Sequence, residues 1–183
     1  MMCPLCAGPL HVRYDMEDLR RTAKREALVE RADASVASLG MWRYASVLPE
    51  VTPIMLGEDW TPMIRSRRYA GLLVKDEGAN PTGSFEARGM GLAVSMAKHY
   101  GVQHLAIASA GNAAGALAAY AAAARIAAHV FLPQDAPFAN YLEAAVYGAE
   151  VTMVEGSISD CRRMVGEKIE AQKAAGNEVW FDV

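Results

Sequence analysis

From residue 71 onward, short β-prone runs alternate with helical stretches, and this alternation limits the fold more than any other feature of the chain. LLVKDE (72–77) precedes a helix predicted from Ser84 to about Tyr100, and HLAIAS (104–109) precedes an alanine-rich helix reaching about Arg125. AAHVFLP (127–133) reads as a strand, FANYLEAAVY (138–147) as a helix, AEVTMVEG (149–156) as a strand, ISDCRRMVGEKIEAQKAA (158–175) as a helix and EVWFDV (178–183) as a final strand. Gly101, Gly148 and Gly176 each fall just past a predicted helix, where the left-handed residue that ends it is easiest for glycine. Strands separated by helices of this length require crossover connections, which predicts a parallel sheet of βαβ units with helices on both faces. The expected fold class is α/β.

Residues 1–70 lack this rhythm: a charged helical stretch begins near Asp15, and Pro49, Pro53 and Pro62 punctuate a turn-rich segment. They are expected to form an N-terminal arm packed on the sheet of an α/β domain at 71–183. EVWFDV has no helix after it to cover its second face, which resembles an interrupted fold; the alternative is a place at the sheet edge.

At 183 residues the chain can bury one core, as a single domain or a domain with a small appendage. Its net charge of -3 comes from intermixed signs, which argues against a nucleic-acid footprint or a membrane-surface patch and favours a small-molecule or protein partner. No apolar run approaches the roughly 20 residues of a spanning helix, and MMCPLC lacks the order of a signal peptide. A cytoplasmic location is expected, with Cys3, Cys6 and Cys161 as free thiols.

Two loops carry the chemistry. Ligands of open α/β sheets bind beyond the carboxyl ends of strands, where loops enter helix N-termini. In GANPTGSFE (78–86), Gly78, Pro81 and Gly83 shape a turn and Ser84 is placed to cap the following helix. SAGNA (109–113) directly follows HLAIAS; its small residues Ser109, Ala110, Gly111 and Ala113 let a ligand approach the backbone, and the helix N-terminus offers donors to a carboxylate.

In fixed order, Lys75, Glu77, Gly78, Asn80 through Phe85, Arg88, Gly89 and Met90, then Ser109, Gly111 and Asn112, resemble the fold-type II pyridoxal-phosphate enzymes, most closely threonine synthase. WRYASVLPE (42–50) and LPQDAPFANYLEAAVYGAEV (132–151) are similar to the same family, so the resemblance covers most of the chain. It implies a lyase that converts O-phosphohomoserine to threonine with pyridoxal phosphate. Asn112 would bond the cofactor's ring hydroxyl, the backbone of Ser109 to Ala113 would hold the substrate carboxylate, and Ser84 would lie near the same ligand.

The family motif places its Schiff-base lysine, then an aspartate, where this chain has Glu86 and Ala87. A carboxylate forms no imine, and its charge opposes an anionic cofactor, so pyridoxal phosphate is expected to bind weakly or not at all and the lyase to be inactive. Glu86 also has an ordinary role in the first turn of a helix, where a negative charge gains roughly 0.3 to 1 kcal/mol. Lys75 is the one other amine expected nearby, with a structural ion pair as its simpler reading. Family members run to about twice this length, and the resemblance puts their phosphate-binding glycine loop in the part not matched here. The chain thus looks like an N-terminal half whose partner is a second copy or a complementary C-terminal half.

Three further readings stay open. The surviving loops could form a non-catalytic module for an amino acid or another carboxylate, or a self-associating unit. A serine hydrolase could reuse Ser84 or Ser109, although neither lies in G-x-S-x-G and His99, His104 and His129 read as surface or strand-end residues. Cys3 and Cys6, with His11 beyond, resemble half of a zinc knuckle, short of the four ligands a structural zinc takes, so no metal is expected.

Overall fold

The computed structural model describes residues 6, 11–23, 40–176 and 179–183. Helix α1, Met16–Thr22, starts where predicted because the Asp15 carboxylate accepts from the backbone N–H groups of Glu17 and Asp18. A 3-10 segment, Gly40–Val47, follows.

Strands β1 (Met63–Arg65) and β2 (Leu73–Lys75) pair antiparallel, with Met63 opposite Lys75 and Arg65 opposite Leu73. This corrects the expectation that LLVKDE opens the parallel sheet. Between them Ser66 nucleates the turn: its Oγ accepts from the N–H groups of Arg68 and Tyr69, and its own N–H donates to Leu72 O at 3.0 Å. A hairpin partner a few residues away involves less loop closure than a distant strand. The apolar run is therefore captured by the arm side of the chain.

The remaining elements follow the predicted order: α2 (Glu86–His99), β3 (His104–Ala108), α3 (Asn112–Ala124), β4 (Ala127–Pro133), α4 (Phe138–Val146), β5 (Glu150–Val154), α5 (Ile158–Ala174) and β6 (Trp180–Asp182). Gly101, Gly148 and Gly176 take φ of 69°, 87° and 67° at the helix ends. Four strands form one parallel sheet in the order β5-β4-β3-β6, with Ala106 opposite His129, His129 opposite Glu150 and His104 opposite Trp180. β6 lies at an edge.

Alternation along the strands builds two cores. Leu105, Ile107, Val130 and Leu132 point to the layer of α3 and α4, which α2 extends through Val94 and Ala97. Ala106, Phe131, Val154 and Trp180 point to α5, which meets them with Cys161, Val165 and Ile169 at helical spacing. α3 is buried along most of its length because it lies between the sheet and its neighbouring helices, and alanine lets all of them come close.

The described part of the arm docks on helices. Ile54 N–H donates to Ser95 Oγ on α2 at 2.8 Å. Glu58, wholly buried, accepts from Trp42 Nε1 at 3.2 Å, from Leu56 N–H at 3.0 Å and from the Tyr120 hydroxyl on α3. Among the described residues no helix is long and apolar enough to cross a membrane.

Candidate functional site

The strand order runs outward from β3 through β4 to β5, then returns to the far side of β3 for β6. A reversal of this kind opens a crevice at the carboxyl ends of the strands. β3 leads there into Ser109–Gly111 and the first turn of α3. Ser109 is buried; its N–H donates to Phe131 O at 3.1 Å, and its Oγ lies 3.2 Å from both the N and the O of Gly111, fixing the turn. Asn140 of α4 donates to Ala110 O at 3.0 Å and ties the loop down from the other side. Gly111 is the N-cap and supplies no side-chain cap; Ala114 N–H donates to Gly111 O at 3.2 Å, and the N–H groups of Asn112 and Ala113 begin the helix without a cap. Ala110 and Asn112 are exposed, while Gly111 and Ala113 are half-buried.

Residues 77–86 pass through two 3-10 turns, Glu77–Ala79 and Pro81–Gly83. Thr82 holds φ 59°, a left-handed conformation that costs a β-branched residue energy and concentrates at functional loops. α3, the helix that the second predicted loop opens, packs on the Pro81–Gly83 turn of the first.

Ser84 does not cap the helix. It is extended, at φ -152° and ψ 163°, and α2 begins at Glu86 after Phe85, so the Ser84 side chain leaves the helix axis one residue too early to reach the first-turn donors. Three buried oxygens of this turn have no hydrogen-bond partner: Asn80 Oδ1, Ser84 Oγ and Glu86 Oε2. Asn80 and Ser84 are 5% and 6% exposed, whereas Glu86 is half-buried. Glu86 does occupy the first turn of α2, as expected.

A network that the sequence reasoning missed holds this turn in place. Arg88 grips Glu77 through Nε at 2.7 Å and Nη2 at 3.1 Å, and Nη2 also donates to Asp59 O at 3.0 Å. Thr61 donates to the same carboxylate, and Asn80 Nδ2 reaches it at 2.9 Å. The Arg88 hydrogen bonds, followed by that of Thr61, hold the Glu77 carboxyl at about 2, against an ordinary 4.5. Glu77 and Arg88 both belong to the motif, but no local rule joins residues at that separation. Glu143 of α4 lies over Gly115, and burial raises its carboxyl.

The described lysines are engaged elsewhere. Lys75 donates to Thr61 O and lies 3.8 Å from Glu77, Lys98 donates to Ala124 O at 2.6 Å, Lys168 pairs with Glu150 at 3.0 Å and Lys173 with Glu170 at 2.8 Å. Lys24 lies outside the described residues.

The histidines sit apart from both serines. His104 starts β3, at the opposite end from Ser109, and its Nδ1 lies 3.0 Å from Nε2 of His129. His129, expected at the surface or a strand end, is the third residue of β4 and is buried on the α5 face, where Trp180 stacks on it with centroids 4.3 Å apart. Cys3 lies outside the described residues, Cys6 is exposed, and no cluster of three metal-binding side chains occurs among the described residues. A cavity of about 330 Å³ lies on the arm side, lined by Arg43, Asp59, Trp60, Lys75, Glu77 and Arg88 among others; it touches the support network but not Ser84, Glu86 or the 109–113 loop.

Residues 54–181 match the sequence profile of the family described as pyridoxal-phosphate dependent enzyme. The threonine synthase of Methanocaldococcus jannaschii is 36% identical over 170 residues, covering 87% of this chain and 40% of that protein. That of Methanosarcina acetivorans is 34% identical over 171 residues, covering 89% and 40%. A crystal structure of a pyridoxal 5'-phosphate-dependent aspartate racemase superposes with a TM-score of 0.56 at 28% identity, over 67% of this chain and 40% of that one. Escherichia coli diaminopropionate ammonia lyase in apo form shares the fold, with a TM-score of 0.57 at 19% identity over 69% and 41%. The chain thus spans about 40% of the length of these curated relatives.

Proposed function

The chain belongs to the pyridoxal-phosphate-dependent enzyme family, and from that premise we propose that it is a threonine synthase-like member that keeps the family's carboxylate-binding loop and lacks its lyase chemistry. The observation that carries the reading is Glu86, at the place where the family motif puts its lysine, with every described lysine held by another partner. When bound, pyridoxal phosphate supplies an electron sink to a substrate amine, and the family holds it as an imine on lysine. The residues present do not fit that covalent attachment: the turn offers unpartnered oxygen atoms and a carboxylate where an amine is needed.

The Ser109–Ala113 loop is the part that still suits a ligand. Its backbone donors and the positive end of the α3 dipole attract a carboxylate, and Asn112 stands exposed beside them for a ring hydroxyl or similar acceptor. We assign the protein non-covalent binding of a small amino acid or related carboxylate. A second polypeptide, either another copy or one equivalent to the rest of the relatives' length, would cover the exposed apolar side chains of the β1–β2 hairpin.

The test is a visible spectrum of the purified protein with pyridoxal phosphate before and after borohydride, mass spectrometry of the product, and an assay of O-phosphohomoserine turnover. The expected result is no aldimine band, no trapped lysine and no threonine formed. A reduced lysine adduct or measurable turnover would overturn the reading.

A further inference from the structure

We infer that the turn carrying Asn80, Ser84 and Glu86 is a receptor for a primary ammonium group on a small anionic ligand, a role opposite to that of the amine the family places there. The inference rests on the non-covalent reading above and names the ligand chemistry of the same site. Three oxygens on this turn are buried without partners, and two belong to side chains more than nine-tenths buried. Gly83 N–H returns to Asn80 O at 3.0 Å, which folds the turn back so that Asn80 and Ser84 flank it, and Glu86 opens the helix that follows.

The chemistry of the set is one-sided. Asn80 spends both described donor contacts of its Nδ2 on Glu77, which leaves Oδ1 as an acceptor. Ser84 Oγ donates or accepts, and a glutamate carboxylate only accepts. Buried acceptors without donors are costly, and an ammonium, with three donors and a positive charge, is the group whose chemistry matches such acceptors. Glu86 is half-buried as a residue, while its Oε2 is itself closed to solvent. α3, which packs against Pro81–Gly83, offers an anion the donors of its first turn. An ammonium and an anion on one small molecule describe both the amine form of the cofactor, pyridoxamine 5'-phosphate, and a free α-amino acid.

Calorimetric titration of the full chain with pyridoxamine 5'-phosphate, pyridoxal 5'-phosphate and L-threonine tests this. The amine form is expected to bind about tenfold more tightly than the aldehyde form, the scale of one charge-assisted hydrogen bond. Glu86→Gln is expected to erase the preference and Glu86→Lys to reverse it, with thermal unfolding confirming that each variant is folded; Ser84→Ala, which adds no charge, is expected to weaken the amine form several-fold. Binding of L-threonine that Glu86→Gln abolishes, without a preference between cofactor forms, would assign the same ammonium receptor to a free amino acid. Equal or tighter binding of the aldehyde form to the wild type without L-threonine binding of that kind, a preference unchanged in folded Glu86→Gln, or no binding of any of the three overturns the inference. The wild-type affinities involve neither borohydride trapping nor turnover, so the non-covalent reading fails separately, on a reduced lysine adduct or threonine formed by the wild type.

Discussion

Tyr120 donates its phenolic hydrogen bond to Oε2 of Glu58, and with both residues fully buried a carboxylate of the arm is sealed against the helical layer. Gly91 makes room for it: a Cβ there would stand 3.3 Å from both Glu58 Oε1 and the Tyr120 ring. The carboxylate also ties Trp42 and Leu56 to the same point, so one group fastens the arm against α2 and α3.

Removing one donor should therefore cost more than a surface hydrogen bond. Tyr120→Phe keeps the ring and leaves a buried carboxylate short of a partner, a loss of about 1–3 kcal/mol. Urea unfolding followed by tryptophan emission measures it; an unchanged midpoint would show that the contact contributes nothing.

Gly40→Ala strains the arm from the other side. Gly40 holds φ 57°, and an added Cβ would come within 1.7 Å of Glu58 O, a backbone atom that cannot swing away. The left-handed conformation alone costs a non-glycine residue about 1–2 kcal/mol, and the clash adds to it. Faster proteolysis around residues 40–60, with the sheet still protected in hydrogen exchange, is the expected outcome.

Acid should loosen the support network in a defined window. Glu77 is held at about 2 in the folded state, against an ordinary 4.5. Above 4.5 its stabilisation is complete; as pH falls toward about 2 the unfolded chain takes up the proton first and the stabilisation is lost. Arg88→Gln, which removes the first cause of the depression, should flatten unfolding midpoints across that window and lower stability at neutral pH.

A second window belongs to His129. Burial, then the Lys168 ammonium, lowers its imidazole below the ordinary 6.5, while Glu150 opposes the shift. It faces His104 from β3, Glu150 from β5, Lys168 from α5 and Trp180 from β6. Because the folded state prefers the neutral ring, stability is full above 6.5 and declines as pH falls below it, until the folded ring also protonates. His129→Asn should remove this part of the slope in urea midpoints measured between roughly pH 7 and 5.

The parallel sheet was legible because strand and helix periods alternate strongly from HLAIAS onward, and glycines mark the helix ends. The partner of β2 was not: three exposed residues, Leu73–Lys75, carry no alternation that separates a hairpin from a sheet strand. Ser84 misled for a different reason. A serine after glycine and before a helix matches the capping rule, but the turn places Phe85 at the cap and turns the hydroxyl away. Glu58, in LGEDW, reads as a solvent residue until Trp42 and Tyr120 enclose it from distant parts of the chain. Long-range burial of charge of this kind leaves no trace in local composition.

Among the described strands β6 comes after all the others in sequence yet joins the sheet beside β3, the earliest member of that sheet, with Trp180 against His104. During synthesis, β3, β4 and β5 can assemble from neighbours as they emerge, while the flank of β3 stays open until β6 arrives. That delay makes the unguarded flank the point at which a nascent chain is most exposed to pairing with a foreign strand, and Trp180, laid over the two imidazoles, is the clasp that ends the exposure.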